Sequence, residues 1–267
     1  MPWNNTPLYG DGKIVPCPVC KFPSRMRFRD NQWLDSYEPA LDATTWNSAD
    51  IPKLDTHDKR LLRRLRNGKK TVALVGWAPA SCGMAPYDEP NVKLGGELEI
   101  WGLNQAHAMP WMKTWTRWFQ LHKEKSWSRQ ISITRGILGH YDWLKEDHQR
   151  PIYMQFKHDE IPNSVEYPLE EVVDEYLGKF SKGFNPVRYF TNSLGYMIPM
   201  AIKEFQRIEI YGFEMADDTE YVKQKACAEF WIGIALGKGK EVYLPPGNSL
   251  ASGPIYGYQG EGAANIA

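Results

Sequence analysis

The sequence predicts an α/β protein with a mostly parallel sheet that helices cover on both faces. Three observations support this class. Strand-like and helix-like segments alternate from Thr71 onward. Residues 72–75 are apolar at every position, as in a strand buried on both faces. The length of 267 residues suits one large domain with an extension.

Residues 1–56 contain seven prolines and little periodic pattern, which predicts an irregular N-terminal extension. We place the main domain at residues 57–267. Within the extension, Cys17 and Cys20 have the spacing of half a zinc knuckle, whereas Cys82 and Cys227 stand alone. One CxxC pair is weak evidence, so we expect no metal site. Zinc bound there would instead indicate a zinc-stapled nucleic-acid-binding protein.

Residues 57–70 combine a run of cations with three leucines and end at Asn67 and Gly68, which predicts a short basic helix. One interpretation is a surface helix that docks through its leucines. The other is a contact to an anionic acceptor or to DNA, with Arg63 and Arg64 as the acceptor-binding residues.

The remaining elements follow in order. Alternating or continuous apolar runs predict further strands at residues 97–103, 117–121, 151–154, 207–212 and 241–244. Apolar residues at helical spacing predict helices at residues 169–180, 194–205 and 219–236. The second of these helices follows Thr191, Asn192 and Ser193, all of which are good N-cap residues.

Ligands of parallel α/β sheets bind beyond the carboxyl ends of the strands. Several candidate residues follow a predicted strand or begin a helix, and we expect them to converge: Gly76, Trp77, Ala78, Pro79, Ser81, Asn104, Gln105, His122, Thr191, Asn192, Ser193 and Glu214. Gly76 allows close backbone approach, and a helix start after Ser81 would present N–H groups to a phosphate. An ordinary strand-to-loop junction explains the first turn equally well.

The composition bears on whether the protein binds nucleic acid or associates with a membrane. Lys plus Arg equal Asp plus Glu at 32 each, so no global positive field favours nucleic acid or an anionic membrane. No stretch resembles a signal peptide or approaches the ~20 apolar residues of a membrane span. We therefore expect a soluble, cytoplasmic protein.

The order of three motifs, GWAPAS, GLNQ and FTNSLGYMIPMAIKEFQRIEIYGFEM, resembles the bacterial sialyltransferase-like glycosyltransferases of the Campylobacter type. In that family a G-N-G-P-S turn, a C-N-Q segment and a T-S-G-x-Y-M helix leading into an I-Y-L-x-G-x-D-F strand build the nucleotide-sugar site. The resemblance covers about residues 71–250, including a tail similar to the P-N-S-L of the family. It is compatible with a divergent, phage-encoded member of that family.

The resemblance implies a Rossmann-like fold and a nucleotide sugar as co-substrate, with no resident cofactor or metal. Residues 76–81 would line the donor phosphates or ribose, and Asn104 and Gln105 would bind the nucleotide. Thr191 to Ser193 would face the phosphate or the sugar. Helix capping explains this last group without a ligand, and a strand-end turn explains Asn104.

Two departures from the family pattern matter. Trp77 and Ala78 replace the Asn-Gly of the family turn, and no histidine follows His158 to act as the family's general base. We rank Glu214 first as the catalytic base, then Asp218, with His122 from another strand end. Asp217 and Glu220 also have the spacing of a capping box, which explains that acidic cluster structurally.

The sequence thus predicts a metal-independent glycosyltransferase that moves a sugar from a nucleotide donor to an acceptor hydroxyl. The acceptor is either a glycan or a hydroxymethylated DNA base, as in DNA modification by some bacteriophage enzymes. The alternative is a non-catalytic nucleotide-binding sensor or interaction module.

Overall fold

The computed structural model describes residues 14–16, 23–29, 32–39, 52–78, 80–124, 127, 139–215 and 221–253. Three strands lie in the predicted irregular extension: β1 (Ile14–Pro16), β2 (Pro23–Arg29) and β3 (Gln32–Pro39), which pair antiparallel in that order. Prolines stand at the strand ends, where a missing N–H costs least. The division at residue 56 stays a prediction, although a helix begins there.

The main sheet has seven strands: β4 (Thr71–Val75), β5 (Leu98–Leu103), β6 (Arg117–Gln120), β7 (Ile152–Met154), β8 (Ser164–Glu166), β11 (Arg207–Tyr211) and β12 (Glu241–Tyr243). Their order in the sheet is β12-β11-β4-β5-β6-β7-β8, and every neighbouring pair is parallel. The predicted parallel, Rossmann-like α/β class is confirmed.

Five helices accompany this sheet in the described ranges: α1 (Thr56–Arg66), α2 (His140–Leu144), α3 (Leu169–Val172), α4 (Ser193–Glu204) and α5 (Tyr221–Gly237). A π-helical turn over Val173–Leu177 continues α3. A small hairpin of β9 (Ser181–Lys182) and β10 (Asn185–Pro186) precedes α4. No helix in the described part of the chain combines the length and apolarity that crossing a bilayer requires.

Two hydrophobic cores sandwich the sheet. Leu74, Trp101 and Ile210 face one core together with α4 and α5. Val75, Trp118 and Tyr211 face the other, which the segments after β4 and β5 cover together with α2. All five residues of β4 are buried, which confirms the predicted strand buried on both faces.

Helix α1 lies against this second face, because Arg66 reaches Glu209 and Tyr211 on β11. Of its three leucines only Leu62 is buried, while Leu61 and Leu65 are 48% and 40% exposed. Docking through the leucines is therefore limited to Leu62. Ion pairing by Arg66 supplies part of the attachment instead.

Buried ion pairs occupy the amino-terminal edge of the sheet, where the strands begin. Glu99 on β5 accepts from Arg117 Nε at 2.9 Å, from Trp101 Nε1 at 2.8 Å and from Thr116 Oγ1 at 3.0 Å. Arg117 also donates to Glu204 at 2.6 Å. Each of these charges has a partner, as buried charges require.

A second cluster centres on Glu209, which lies in the middle of β11 and whose side chain is wholly buried. It accepts from Arg66 Nη2 at 2.6 Å, Arg207 Nε at 2.8 Å and the Tyr211 hydroxyl at 2.8 Å. Arg207 also contacts Glu241 at 3.0 Å. These contacts join α1, β11 and β12.

Candidate functional site

The carboxyl ends of β4 and β11 form the topological switch point of the sheet. From β4 the chain proceeds to β5 on one side, whereas from β11 it proceeds to β12 on the other. A crevice between such strands is the usual ligand site of a doubly wound sheet. Gly76 and Gly212 are the residues that leave these two strands.

The turns that follow β4 and β11 contact each other closely at Gly76 and Gly212. Gly76 N donates to Tyr211 O at 2.8 Å, and Ala78 N donates to Gly212 O at 2.9 Å. A Cβ on Gly76 would stand 2.3 Å from Gly212 O, and one on Gly212 would stand 2.7 Å from Gly76 O. Gly212 also has a φ of +69°, which disfavours other residues. Only glycine fits at either position.

The side chains of Ser81 and Glu214 contact each other beside these two glycine turns. Ser81 Oγ accepts from Gly212 N at 2.7 Å and donates to Glu214 Oε1. Ser81 is 2% exposed. The other carboxyl oxygen, Glu214 Oε2, is buried and has no hydrogen-bond partner within the described ranges.

Burial raises the pKa of the Glu214 carboxyl to about 7, while the hydrogen bond from Ser81 acts in the opposite direction. The Cys82 thiol lies close by, and burial followed by the Glu214 charge raises its pKa. A carboxyl that titrates near neutral pH can take up a proton in one step and release it in another. Of the predicted catalytic residues that the structure describes, Glu214 is the carboxyl whose pKa burial raises toward neutral pH.

Asn104 marks the end of the neighbouring strand β5. Its backbone is left-handed at φ 49°, and its Oδ1 atom is buried without a hydrogen-bond partner in the described part of the chain. Asn104 Nδ2 lies 3.4 Å from Nε2 of His122, which follows β6. Gln105 comes next and is partly buried. Asn104 and His122 thus share the carboxyl edge with Gly76.

The start of α4 lies toward the same edge, because α4 ends at Glu204 just before β11 begins at the opposite edge. Asn192 is the N-cap, and its Oδ1 accepts from Gly195 N at 2.7 Å. The Thr191 hydroxyl donates to Lys223 O at 3.0 Å, and Asn192 Nδ2 donates to Gln224 O at 2.5 Å. The side chains of Thr191 and Asn192 therefore attach α4 to α5, while Ser193 opens the helix.

A histidine pair, with His140 buried and His107 partly buried, lies near the ends of β5 and β6 and was not predicted. His107 Nε2 and His140 Nδ1 are 2.8 Å apart, and His140 Nε2 is 2.9 Å from Gln120 Oε1. Burial first, and then the neighbouring His140, lower the pKa of His107 to about 3. Burial and His122 lower the pKa of His140 likewise to about 3. Both rings are neutral at physiological pH and support the edge structurally.

Sequence reasoning also missed Gly212 and Ser249 as site residues. Ser249 Oγ accepts from Met215 N at 2.6 Å and so fixes the backbone after Glu214. The signals were present: a glycine directly after a strand, and the Asn248-Ser249-Leu250 tail of the resemblance.

Some predicted residues do not join this edge. Arg63 lines a cavity of about 310 Å³ with Thr71 and Leu98, the first residues of their strands, and pairs with Glu89 at 2.7 Å. It therefore lies at the amino-terminal edge. Arg64, on the same helix, is exposed.

Pro79, Asp218, Cys17 and Cys20 lie outside the described residues. Within those residues, the one group of three potential metal ligands is Asp55, His57 and Asp58, all exposed at the start of α1. There Asp55 Oδ1 accepts from Asp58 N at 2.8 Å as the helix cap.

Comparisons with known proteins give a distant likeness. No protein-family model matches the chain, and no curated protein matches its sequence. Two solved structures of the sialyltransferase CstII from Campylobacter jejuni match, one with the substrate analogue CMP-3FNeuAc and one with cytidine-5'-monophosphate. The first is 12% identical with a TM-score of 0.42, and the second 14% identical with a TM-score of 0.39. Each match covers 68% of this chain and 82% of the other.

Proposed function

We propose that this protein is a glycosyltransferase that moves a sugar from a nucleotide-activated donor to an acceptor hydroxyl. The reaction class comes from the resemblance of the sequence motifs. The observation that carries the proposal is the buried Glu214 carboxyl, held by Ser81 at the switch point, with one oxygen lacking a hydrogen-bond partner in the described ranges. A ligand hydroxyl is the kind of group that would supply that partner.

In this proposal Glu214 accepts the proton of the acceptor hydroxyl, while the oxygen of that hydroxyl bonds to the anomeric carbon of the donor sugar. The bond from that carbon to the phosphate oxygen breaks, and the nucleotide phosphate leaves with the electron pair. The N-terminal end of α4 and the nearby cation Lys223 would stabilise the developing negative charge. Asn104, with its buried Oδ1, would bind the nucleotide.

Incubation of the purified chain with a panel of nucleotide sugars tests this function. We expect release of free nucleotide, and Glu214→Gln should reduce this release by about a hundredfold or more, as for loss of a general base. Glu166→Gln, which alters an exposed carboxylate on β8, serves as the matched control with unchanged activity.

Binding without turnover would contradict the proposal. If a free nucleotide raises the melting temperature but no donor is hydrolysed or transferred with any acceptor, the nucleotide-binding sensor is the better description. The sensor would retain the same crevice and lack the chemistry.

For the acceptor we propose a hydroxymethylated DNA base or a glycan hydroxyl. Arg63 is engaged with Glu89 at the far edge of the sheet, so it offers no support for DNA at this site. Arg64 remains exposed on α1. Mass spectrometry of a hydroxymethylated oligonucleotide and of an oligosaccharide after reaction with mixed donors separates the two. A charge reversal at Arg64 should weaken duplex binding if DNA is the acceptor, with greater effect at low salt.

A further inference from the structure

The Ser81 hydroxyl bridges a backbone N–H and a carboxylate that belong to the same strand end. It lies between Gly212 N, at 2.7 Å, and Glu214 Oε1. Ser81 precedes a 3₁₀ turn (Cys82–Met84) on the β4 side of the crevice, whereas Gly212 and Glu214 follow β11. One hydroxyl thus connects both sides of the switch point.

The direction of these two hydrogen bonds follows from the chemistry of the groups. A backbone N–H can only donate, so Ser81 Oγ must accept from Gly212 with a lone pair. The single hydroxyl proton then points to Glu214 Oε1. Oε1 is therefore committed as an acceptor, and Oε2 is the oxygen whose hydrogen-bonding capacity is unused among the described residues.

The backbone beneath this bridge is fixed. Gly212 sits against the Gly76 carbonyl so closely that an added Cβ would lie 2.7 Å away, and its φ is +69°. The Gly212 N–H consequently has a set direction. Ser249 fixes the other side of Glu214 through its contact with Met215 N.

We propose that Ser81 is a positioning residue that holds Glu214 through Oε1 and so leaves Oε2 as the oxygen that exchanges the acceptor proton. This inference rests on the proposed role of Glu214 as base. Ser81 itself takes no proton from the substrate.

A consequence can be measured without turnover. The Ser81 hydrogen bond opposes the effect of burial on the Glu214 pKa, so its removal should raise that pKa above about 7. Cys82 is the other titratable group in the described ranges that acts electrostatically with Glu214, and its own pKa is raised by burial, so its thiol stays protonated over this range.

The test is an infrared pH titration of the full chain, in which the Glu214 band is the carboxylic-acid band that disappears in Glu214→Gln. We expect Ser81→Ala to move its midpoint upward by roughly half a pH unit or more. Ser81→Thr keeps the hydroxyl and should restore the original midpoint. If Ser81→Ala fails to fold, Ser81→Cys replaces it, because a thiol is a weaker donor of similar size.

Ser164→Ala is the matched control. Ser164 is also buried, and its hydroxyl accepts from His158 N at 3.0 Å and donates to His158 O at 2.9 Å. It should cost comparable stability and leave the Glu214 midpoint unchanged.

The two proposals fail separately. An unchanged midpoint in Ser81→Ala, or the same shift in Ser164→Ala, overturns the positioning role. A shifted midpoint in a protein that turns over no nucleotide sugar supports the Ser81 contact and overturns the transferase. Where turnover is present, the rising limb of the pH–rate profile should move with the infrared midpoint.

Discussion

The two edges of the parallel sheet differ in how completely their buried polar groups are hydrogen-bonded. From the amino-terminal edge to the middle of β11, Glu99 and Glu209 each contact several donors, and in these two clusters only Nη2 of Arg207 lacks a partner in the described ranges. At the carboxyl edge, Glu214 Oε2 and Asn104 Oδ1 are buried without one. Because an unpaired buried polar atom costs free energy, the pairing at the first edge contributes to stability, whereas the second edge leaves two acceptor atoms unused among the described residues.

The largest expected effect is at the amino-terminal edge. Glu99→Gln removes one of the two carboxylates that pair with buried Arg117 and weakens two further buried hydrogen bonds, so it should lower the free energy of unfolding by about 4 kcal/mol, as for the loss of one member of a buried ion-pair network. Urea unfolding measures this. Glu170→Gln, in the exposed pair with Arg188 at 2.7 Å, is the control and should change stability little. Equal effects of the two substitutions would contradict the assignment of a structural edge.

At the carboxyl edge, the corresponding substitution Glu214→Gln should raise the free energy of unfolding at neutral and alkaline pH instead of lowering it. The folded-state pKa of Glu214 is about 7, above the ordinary value of 4.5. The folded protein therefore holds this proton more tightly than the unfolded chain. The stability that the proton provides is fully present below pH 4.5 and is lost as the pH rises through 7.

Glu214→Gln, which is neutral at every pH, should accordingly match the parent near pH 4 and exceed it by about 3 kcal/mol near pH 8. Urea unfolding at both pH values measures the difference. A variant that is less stable than the parent at pH 8 would place Glu214 with the paired carboxylates of the other edge.

The smallest expected effect concerns Asn104. Asn104→Gly relieves the left-handed backbone and removes a buried oxygen without a partner, so we expect a gain of about 0.5 kcal/mol in unfolding free energy. The stabilisation of the protein by free nucleotide should fall at the same time.

Gln149→Gly is the control for this substitution, because Gln149 is also left-handed at φ 53° but lies on an exposed loop before β7. It should show the backbone gain and keep the nucleotide response. A nucleotide response that survives Asn104→Gly would remove Asn104 from the proposed donor site.

The sequence predicted most of the sheet because its central strands are buried and contain β-branched or aromatic residues, as in β4 and β11. It missed β8, which has two exposed residues among its three, and the hairpin of β9 and β10, whose four strand residues are all exposed. Such strands carry no burial pattern to read. Helix α4 was predicted almost to the residue because Asn192 caps it.

The location of the candidate residues at the carboxyl edge was predictable from the sequence, whereas the electrostatics of that edge were not. Strand-end position identified Gly76, Asn104 and Glu214. The Glu214 carboxyl is buried and is hydrogen-bonded by Ser81, which is 133 positions away in the chain, and no local sequence pattern contains that contact. Likewise, the basic pattern of α1 did not reveal at which edge Arg63 would lie.

The contact between the Gly76 and Gly212 turns affects when the candidate site can form during folding. The hydrogen bond from Gly212 to Ser81 closes a loop of 131 positions, and closing long loops is entropically slow. Nearly the whole domain must be synthesised and β11 inserted beside β4 before Glu214 acquires its environment. An incomplete or partly folded chain would therefore carry an ordinary surface carboxylate, and any chemistry at this crevice would begin only once the last central strand is in place.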